Sequence, residues 1–236
     1  MRRYKRHRDA ACTVFRIGSK YTSLFLSRKI ASMGGWILRT PQPLLLVISG
    51  QAGAGKDSLV QRMKERGYPF YFVVTATDRP PRPGEVHGRD YFFLSTEEFL
   101  RLEQEGGLLE HAIVYGQHKG IPKSQVRQAL ASGMDVVMRL DVQGAATVRR
   151  LVPEAVLIFV TTESEEELER RLRARGGDAP EQMHRRLATA REEAQRLDEF
   201  DYVVVNRAGE LDQAVDDVLA IVRAEHCRVR HRRVQL

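Results

Sequence analysis

Leu44-Leu45-Leu46-Val47-Ile48-Ser49-Gly50-Gln51-Ala52-Gly53-Ala54-Gly55-Lys56-Asp57-Ser58-Leu59 begins as an uninterrupted apolar run and ends as the start of a helical pattern. The run through Ser49 reads as a buried strand, and the segment from Lys56 onward as a helix. Between them, Gly50, Gly55 and Lys56 fit the phosphate-binding pattern G-x-x-x-x-G-K. Glycines let the backbone approach a polyphosphate closely enough for successive N–H groups to reach its oxygens. The helix adds its N-terminal partial charge, and the lysine reaches the terminal phosphates. A match to this pattern is weak by itself, and a plain glycine turn is the competing reading. Its place between a strand and a helix is the context that confirms it. One position departs: Asp57 stands where the pattern asks for a magnesium-binding Ser or Thr.

At 236 residues the chain can bury one sizeable core, with room for a small lid. The net charge of +7 suggests a nucleic-acid partner until it is located. Residues 1–40 carry ten Lys/Arg against Asp9 alone, a balance of +9, while the other 196 residues carry 28 Lys/Arg against 30 Asp/Glu. Basicity therefore belongs to the first forty residues, and neither nucleic acid nor membrane is expected as a partner of the core. That segment, rich in Arg and Ser, fits a transit peptide, a basic tail, or an upstream start with the true start at Met33. A cytoplasmic location is expected, or a plastid or mitochondrion if residues 1–40 are a transit peptide. Cys12 and Cys227 have neither a disulfide framework nor metal-ligand spacing. No run reaches the roughly 18 apolar residues of a membrane span.

From residue 44 onward, apolar runs alternate with helical patterns. Strands are expected at Leu44–Ser49, Leu109–Val114, Asp135–Leu140, Ala155–Thr161 and Tyr202–Asn206. Helices are expected at about 56–66, 96–105, 123–132, 143–151, 164–175, 180–197 and 210–226. The alternation predicts an α/β fold with a mostly parallel sheet covered on both faces, and ligands at the carboxyl ends of its strands.

The segment Thr75-Ala76-Thr77-Asp78-Arg79-Pro80-Pro81-Arg82-Pro83-Gly84-Glu85 places two arginines three apart on a proline-stiffened stretch, with Tyr91 following. Planar guanidinium forks on a stiff segment suit a phosphate; a rigid solvated loop is the alternative. Asp141 closes the apolar run before it, where a carboxylate could hold magnesium, position Lys56, or cap the next helix. Many arginines near 170–191 sit among glutamates, and Arg170, Arg171, Arg173, Arg185 and Arg191 read as solvated helix faces.

The phosphate loop, Arg79-Pro-x-Arg82-Pro83-Gly84-Glu85 with Tyr91, Gly107-Leu108-Leu109-Glu110, Asp141-Val142-Gln143-Gly144 and Val203-Val204-Val205-Asn206 occur in that order. This ordered set resembles guanylate kinase from residue 44 to about 225. The resemblance implies a P-loop NTPase three-layer fold with a GMP-binding insertion at about 75–122 and a helical lid at about 164–190. These would lie within a domain spanning 41–228, followed by a basic tail at 229–236. It also implies transfer of the ATP γ-phosphate to GMP with magnesium, GMP or dGMP and ATP as small-molecule partners, and a monomer or homodimer. The alternatives are a related kinase for another nucleotide or sugar phosphate, or a non-catalytic binding module.

Carried over by position, Gly50, Gln51, Ala52, Gly53, Ala54, Gly55, Lys56, Asp57 and Ser58 would hold ATP. Arg79, Arg82 and Tyr91 would hold the acceptor phosphate, and Thr75 and Glu110 would meet guanine. Lys56, Arg175 and Arg186 would be catalytic, and Asp57 and Asp141 would hold the metal. Glu110 makes chemical sense independently: a carboxylate accepts two hydrogen bonds, and guanine offers N1–H and the N2 amine side by side. The chain departs from the family at Asp57, at Asp78, at Lys119 where Tyr is usual, at Ile121 where Ser or Thr is usual, and at Arg139 where an acid is common.

Overall fold

The computed structural model describes residues 42–82, 84–114, 116–174 and 180–236. Residues 1–41, Pro83, Tyr115 and 175–179 lie outside these, and the expectations that fall on them, Arg175 among them, rest on sequence alone. In chain order the described elements are β1 (Leu45–Gly50), α1 (Lys56–Glu65), β2 (Phe70–Phe72), β3 (Ala76–Thr77), β4 (Phe92–Phe93), α2 (Thr96–Gln104), β5 (Leu108–Val114) and β6 (Gln117–Pro122). They continue with α3 (Lys123–Ala131), β7 (Asp135–Arg139), α4 (Val142–Leu151), β8 (Val156–Thr161), α5 (Glu165–Ala174), α6 (Pro180–Ala194), β9 (Tyr202–Val205) and α7 (Leu211–His226).

Strand β1 is buried along all six residues because it has neighbours on every side. It pairs in parallel with β7 and with β8, in a five-stranded sheet of order β2-β7-β1-β8-β9. Its side chains alternate between the two faces. Leu44, Leu46 and Ile48 enter a core with Met63 of α1 and Val215, Val218 and Leu219 of α7. Leu45 and Val47 enter the opposite core with Val126 of α3 and Ala145 and Val148 of α4. An apolar run without polar alternation is what a strand between two helix layers requires. Truncating such a residue, as in Leu46→Ala, removes about 2–5 kcal/mol.

The structure reassigns one expected strand. Leu108–Val114 joins a second sheet, of order β4-β3-β6-β5, and not the parallel one. The reason is its hairpin partner: β6 pairs antiparallel with β5 from Val114–Gln117 back to Leu108–Pro122. Gln117-His118-Lys119-Gly120-Ile121-Pro122 carries Gly, Pro and two bases, so periodicity did not mark it as a strand. Register shifts between Leu108 and Glu110, and a bulge of this kind re-aims the side chains around it. Leu108 enters a small core with Ala76 and Phe99, while adjacent Leu109 enters the core beneath the parallel sheet. Strand β5 thus stitches the two sheets together, and Glu110 emerges at their junction. Helix α2 is held at its start by a reciprocal capping box between Ser95 and Glu98.

Residues 229–236, set apart in the sequence as a basic tail, pack on the fold. Arg232 is buried, donating to Glu225 Oε2 at 2.9 Å and to the Ala155 carbonyl, and Val234 and Leu236 rest against the core. No helix among the described residues is long and apolar enough to cross a membrane.

Candidate active site

The loop Gly50–Gly55 leaves the carboxyl end of the central strand. Gly50 has φ +123°, and a Cβ there would overlap the Val160 carbonyl of β8. Gly55 has φ +91°, and its Cβ would overlap the Asn206 amide, whose Nδ2 donates to the Ala54 carbonyl at 2.8 Å. These glycines therefore answer to protein neighbours as well as to the left-handed backbone. Gly55 caps α1, and no side chain accepts from this helix's first amides. Those donors and the helix field are left directed at the loop, the arrangement that binds anions.

Lys56 folds over the loop, donating to the carbonyls of Gly50 at 2.5 Å and Gln51 at 2.9 Å. Burial lowers its pKa, against the opposing pull of Glu193 and Asp57. Helix α6 reaches the same loop: Glu193 accepts the Ala52 N–H at 2.7 Å, and Gln51 Nε2 donates to the Ala190 carbonyl. Burial pushes the Glu193 carboxyl up, the Ala52 amide opposing it. Arg171 is not on a solvated face. It donates to the Asn206 carbonyl at 2.8 Å and to the Ala54 carbonyl at 3.3 Å, with Glu167 orienting it at 2.5 Å. Arg170, Arg173 and Arg191 do lie exposed, each paired with a glutamate.

Beside the loop opens a cleft of about 220 Å³, into which Lys56, Asp57, Thr75, Tyr91, Glu110 and Asp141 all project, with Lys119 and Arg139. Six residues singled out in the sequence, from four separate stretches, meet here. Glu110 is 6% exposed, and its carboxylate accepts no hydrogen bond among the described residues. Burial, with a further push from Asp141, raises its pKa to about 7. It can lie so close to α4 because residue 144 is glycine: a Cβ there would sit 2.9 Å from Glu110 Oε1. A buried carboxyl without a partner is costly, and perturbed groups of this kind cluster at functional sites.

Tyr91 enters the cleft with Arg79 behind it, the guanidinium stacked 4.8 Å from the ring centroid. Arg79 is 7% exposed and held at 2.6 Å by both oxygens of Glu85. Its hydrogen bonds, and the Arg82 amide, hold the Glu85 carboxyl down at about 2. Arg82 is exposed, its own N–H donating to Glu85 at 2.7 Å. Neither guanidinium lines the cleft itself; Glu85 organises both residues. Asp141 caps α4 through Gly144 N–H at 2.7 Å and also faces the cleft. Arg186, half-buried on α6, borders a separate hollow with Gln182, Arg185 and Thr189. Ile121 is wholly buried in the core, away from the cleft, and Asp78 is structural, accepting from His118 N–H at 2.8 Å.

Sequence reasoning left out of the site three residues that the structure places at it: Arg139, Glu193 and Arg171. Only Arg139 carried a signal, as a base at a strand's carboxyl end near the loop. Among the described residues no group of three or more His, Cys, Asp or Glu could hold a metal alone. Magnesium held mainly by phosphate oxygens and water needs only one or two carboxylates, and Asp57 and Asp141 both face the cleft, so the residues fit that ion.

Residues 42–225 match the guanylate kinase family model. The chain is 50% identical over 197 residues to guanylate kinase 2, chloroplastic/mitochondrial, of Oryza sativa subsp. japonica, covering 83% of this chain and 69% of that protein. It is 50% identical over 166 residues to the guanylate kinase of Gloeobacter violaceus, covering 70% and 81%. Among solved structures, that of guanylate kinase from Anaplasma phagocytophilum superposes with TM-score 0.65 at 30% identity, covering 80% of this chain and 88% of that one. The chain belongs to the guanylate kinase family and is an ATP:GMP phosphotransferase.

Proposed function

We propose that the cleft beside Gly50–Ser58 is where the ATP γ-phosphoryl group passes to GMP, with guanine read by Glu110. The observation that carries this is the buried, partnerless Glu110 carboxylate sharing a cleft with Lys56. Ionised, it accepts from guanine N1–H and the N2 amine, with Thr75 alongside. Adenine presents no such donor pair, so AMP would leave the buried charge unsatisfied, a mismatch worth about 10⁴ in selectivity.

The loop amides from Gly50 to Ser58 and the Lys56 ammonium hold the ATP phosphates. Arg79, Arg82 and Tyr91 hold the acceptor phosphate, with Glu85 pre-setting the Arg79 fork. An oxygen of the GMP phosphate attacks the γ-phosphorus in line. The bond from that phosphorus to the β,γ-bridging oxygen breaks, and the electron pair leaves with ADP. Little covalent help is needed; charge must be stabilised as it moves. Lys56 supplies part of that, and Arg186 and Arg175 supply more when α6 and its neighbours close over the site. Asp57 and Asp141 would hold magnesium, which lowers the charge of the phosphates when bound. Residues 1–40, basic and nearly free of acid, act as an organellar transit peptide, a reading supported by the rice relative's chloroplastic/mitochondrial name.

A coupled ADP assay across GMP, dGMP, IMP and AMP tests the site. GMP is expected to be turned over best, dGMP more weakly, and AMP scarcely. Comparable rates with AMP overturn the role given to Glu110. For the leader, a fluorescent fusion of residues 1–40 is expected in an organelle, and diffuse cytoplasmic signal overturns it.

A further inference from the structure

Arg139 stands at the carboxyl end of β7 and faces the cleft from beside the phosphate loop. One arm of its guanidinium, Nη1, donates to Asp57 Oδ1. The other, Nη2, donates to the Tyr91 hydroxyl at 3.0 Å. A single planar fork therefore ties the first turn of α1, on the donor side, to a residue of the acceptor side. Arg139 and Asp57 both depart in charge from the family pattern. Asp57 places an anion where ATP phosphates must come, and a neighbouring like charge opposes their approach. Other charged groups lie near: Lys56 at the start of α1, which feels Glu193, Asp57, Arg139 and Asp141, and Lys64 further along α1, which feels Arg139, Asp90 and Arg89.

We propose that Arg139 is a positioning residue for both substrates: it neutralises Asp57 so that the loop accepts a polyphosphate, and it orients the Tyr91 hydroxyl towards the acceptor phosphate. A carboxylate at 57 and an arginine at 139 then form one functional unit. The carboxylate without the arginine is a defect, and the pair is compatible with phosphate transfer. Asp57 Oδ2 takes no part in the ion pair, which leaves it able to meet magnesium-bound water while Oδ1 stays on Arg139. This inference rests on the phosphate-binding role proposed for the loop.

The test is a double-substitution cycle on the full chain with Asp57→Ser, Arg139→Met and both together. ADP affinity is measured by calorimetry in EDTA, where magnesium cannot mask the carboxylate. Arg139→Met is expected to weaken ADP by about tenfold, because Asp57 is left uncompensated. Asp57→Ser is expected to tighten it by no more than about twofold, since Arg139 already offsets the anion that is removed. The double variant is expected to recover most of the loss, within about threefold of the unaltered chain. Additive effects, with the double variant no better than Arg139→Met adjusted for Asp57→Ser, overturn the proposal. A residue serving only the fold would lower melting temperature without this pattern in affinity. Should Arg139→Met fail to fold, Arg139→Lys replaces it. That variant keeps the charge but loses the fork, so ADP affinity should hold while KM for GMP rises about tenfold; loss of both equally overturns the dual role. Turnover of GMP by the unaltered chain is measured in parallel. Its failure would remove the guanine reading and leave the ADP cycle interpretable.

Discussion

The donor and acceptor sides of the cleft are built from different materials. The donor side is a continuous stretch, Gly50–Ser58, whose binding groups are backbone amides and one lysine. The acceptor side is assembled from Thr75, Tyr91 and Glu110, with Arg79 stacked behind Tyr91, side chains brought together by a second sheet and a bulge. Amides do not titrate and hold their geometry through the helix and strand that carry them. Side chains must be held by other side chains, as Glu85 holds Arg79, and their protonation follows their surroundings. On the proposed function, affinity for phosphate comes mainly from backbone amides of the loop, and selectivity for the base from a pocket whose carboxyl titrates.

Four substitutions or conditions would break or sharpen this contrast, the most damaging first. Lys56→Met removes the one cation of the donor stretch and is expected to lower kcat by about 10³ or more. Steady-state kinetics with a melting temperature within a few degrees of the unaltered chain would check it. Glu110→Gln is expected to cost about 10²-fold in kcat/KM for GMP, since an amide offers one acceptor where two are needed. ADP binding, measured by titration, should stay unchanged.

The pH response separates the sides further. With Glu110 near 7, kcat/KM for GMP should fall about tenfold per pH unit below 7 as the carboxyl protonates, a limb that Glu110→Gln should flatten. Stability carries the opposite sign. The folded carboxyl holds its proton up to about 7 and the unfolded one only to 4.5. The folded state therefore binds the extra proton between these values. The associated stability is complete below 4.5 and is lost as pH rises through 7, by on the order of 2–3 kcal/mol. Glu110→Gln should accordingly melt above the unaltered chain at pH 8 and level with it at pH 4.5, by calorimetry. Smallest is Glu85→Gln, which loosens the Arg79 fork and is expected to raise KM for GMP by about threefold to tenfold with kcat nearly kept. A loss of kcat instead would place Arg79 in the transition state alone.

Much of this was legible along the chain, and unevenly. The central parallel strands β1, β7 and β8 stood out because their apolar runs are buried on both faces, whereas the three-residue edge strand β2, Phe70–Phe72, was too short to mark itself. The residues of the second sheet did not. Ala76–Thr77 and Phe92–Phe93 are two residues each, too short for a period, and β6 is broken by Gly120 and ends at Pro122. Arg171 read as one of several arginines beside glutamates, and nothing local separated it from Arg170. What separates them is the turn of the helix: residue 171 faces the phosphate loop and residue 170 faces water.

Sequence by itself determined the phosphate loop, the helix after it, the two-faced sheet and the identity of the residues offered to the base, because these depend on contiguous patterns of apolarity, glycine and charge. Tertiary structure alone decided that Glu110 is buried without a partner, that Glu85 rather than solvent holds Arg79, and that Asp57 and Arg139 answer one another. Each of those depends on groups far apart in the chain meeting in a medium from which water is largely excluded, where burial and neighbouring charge, not residue type, set the energy of an ion.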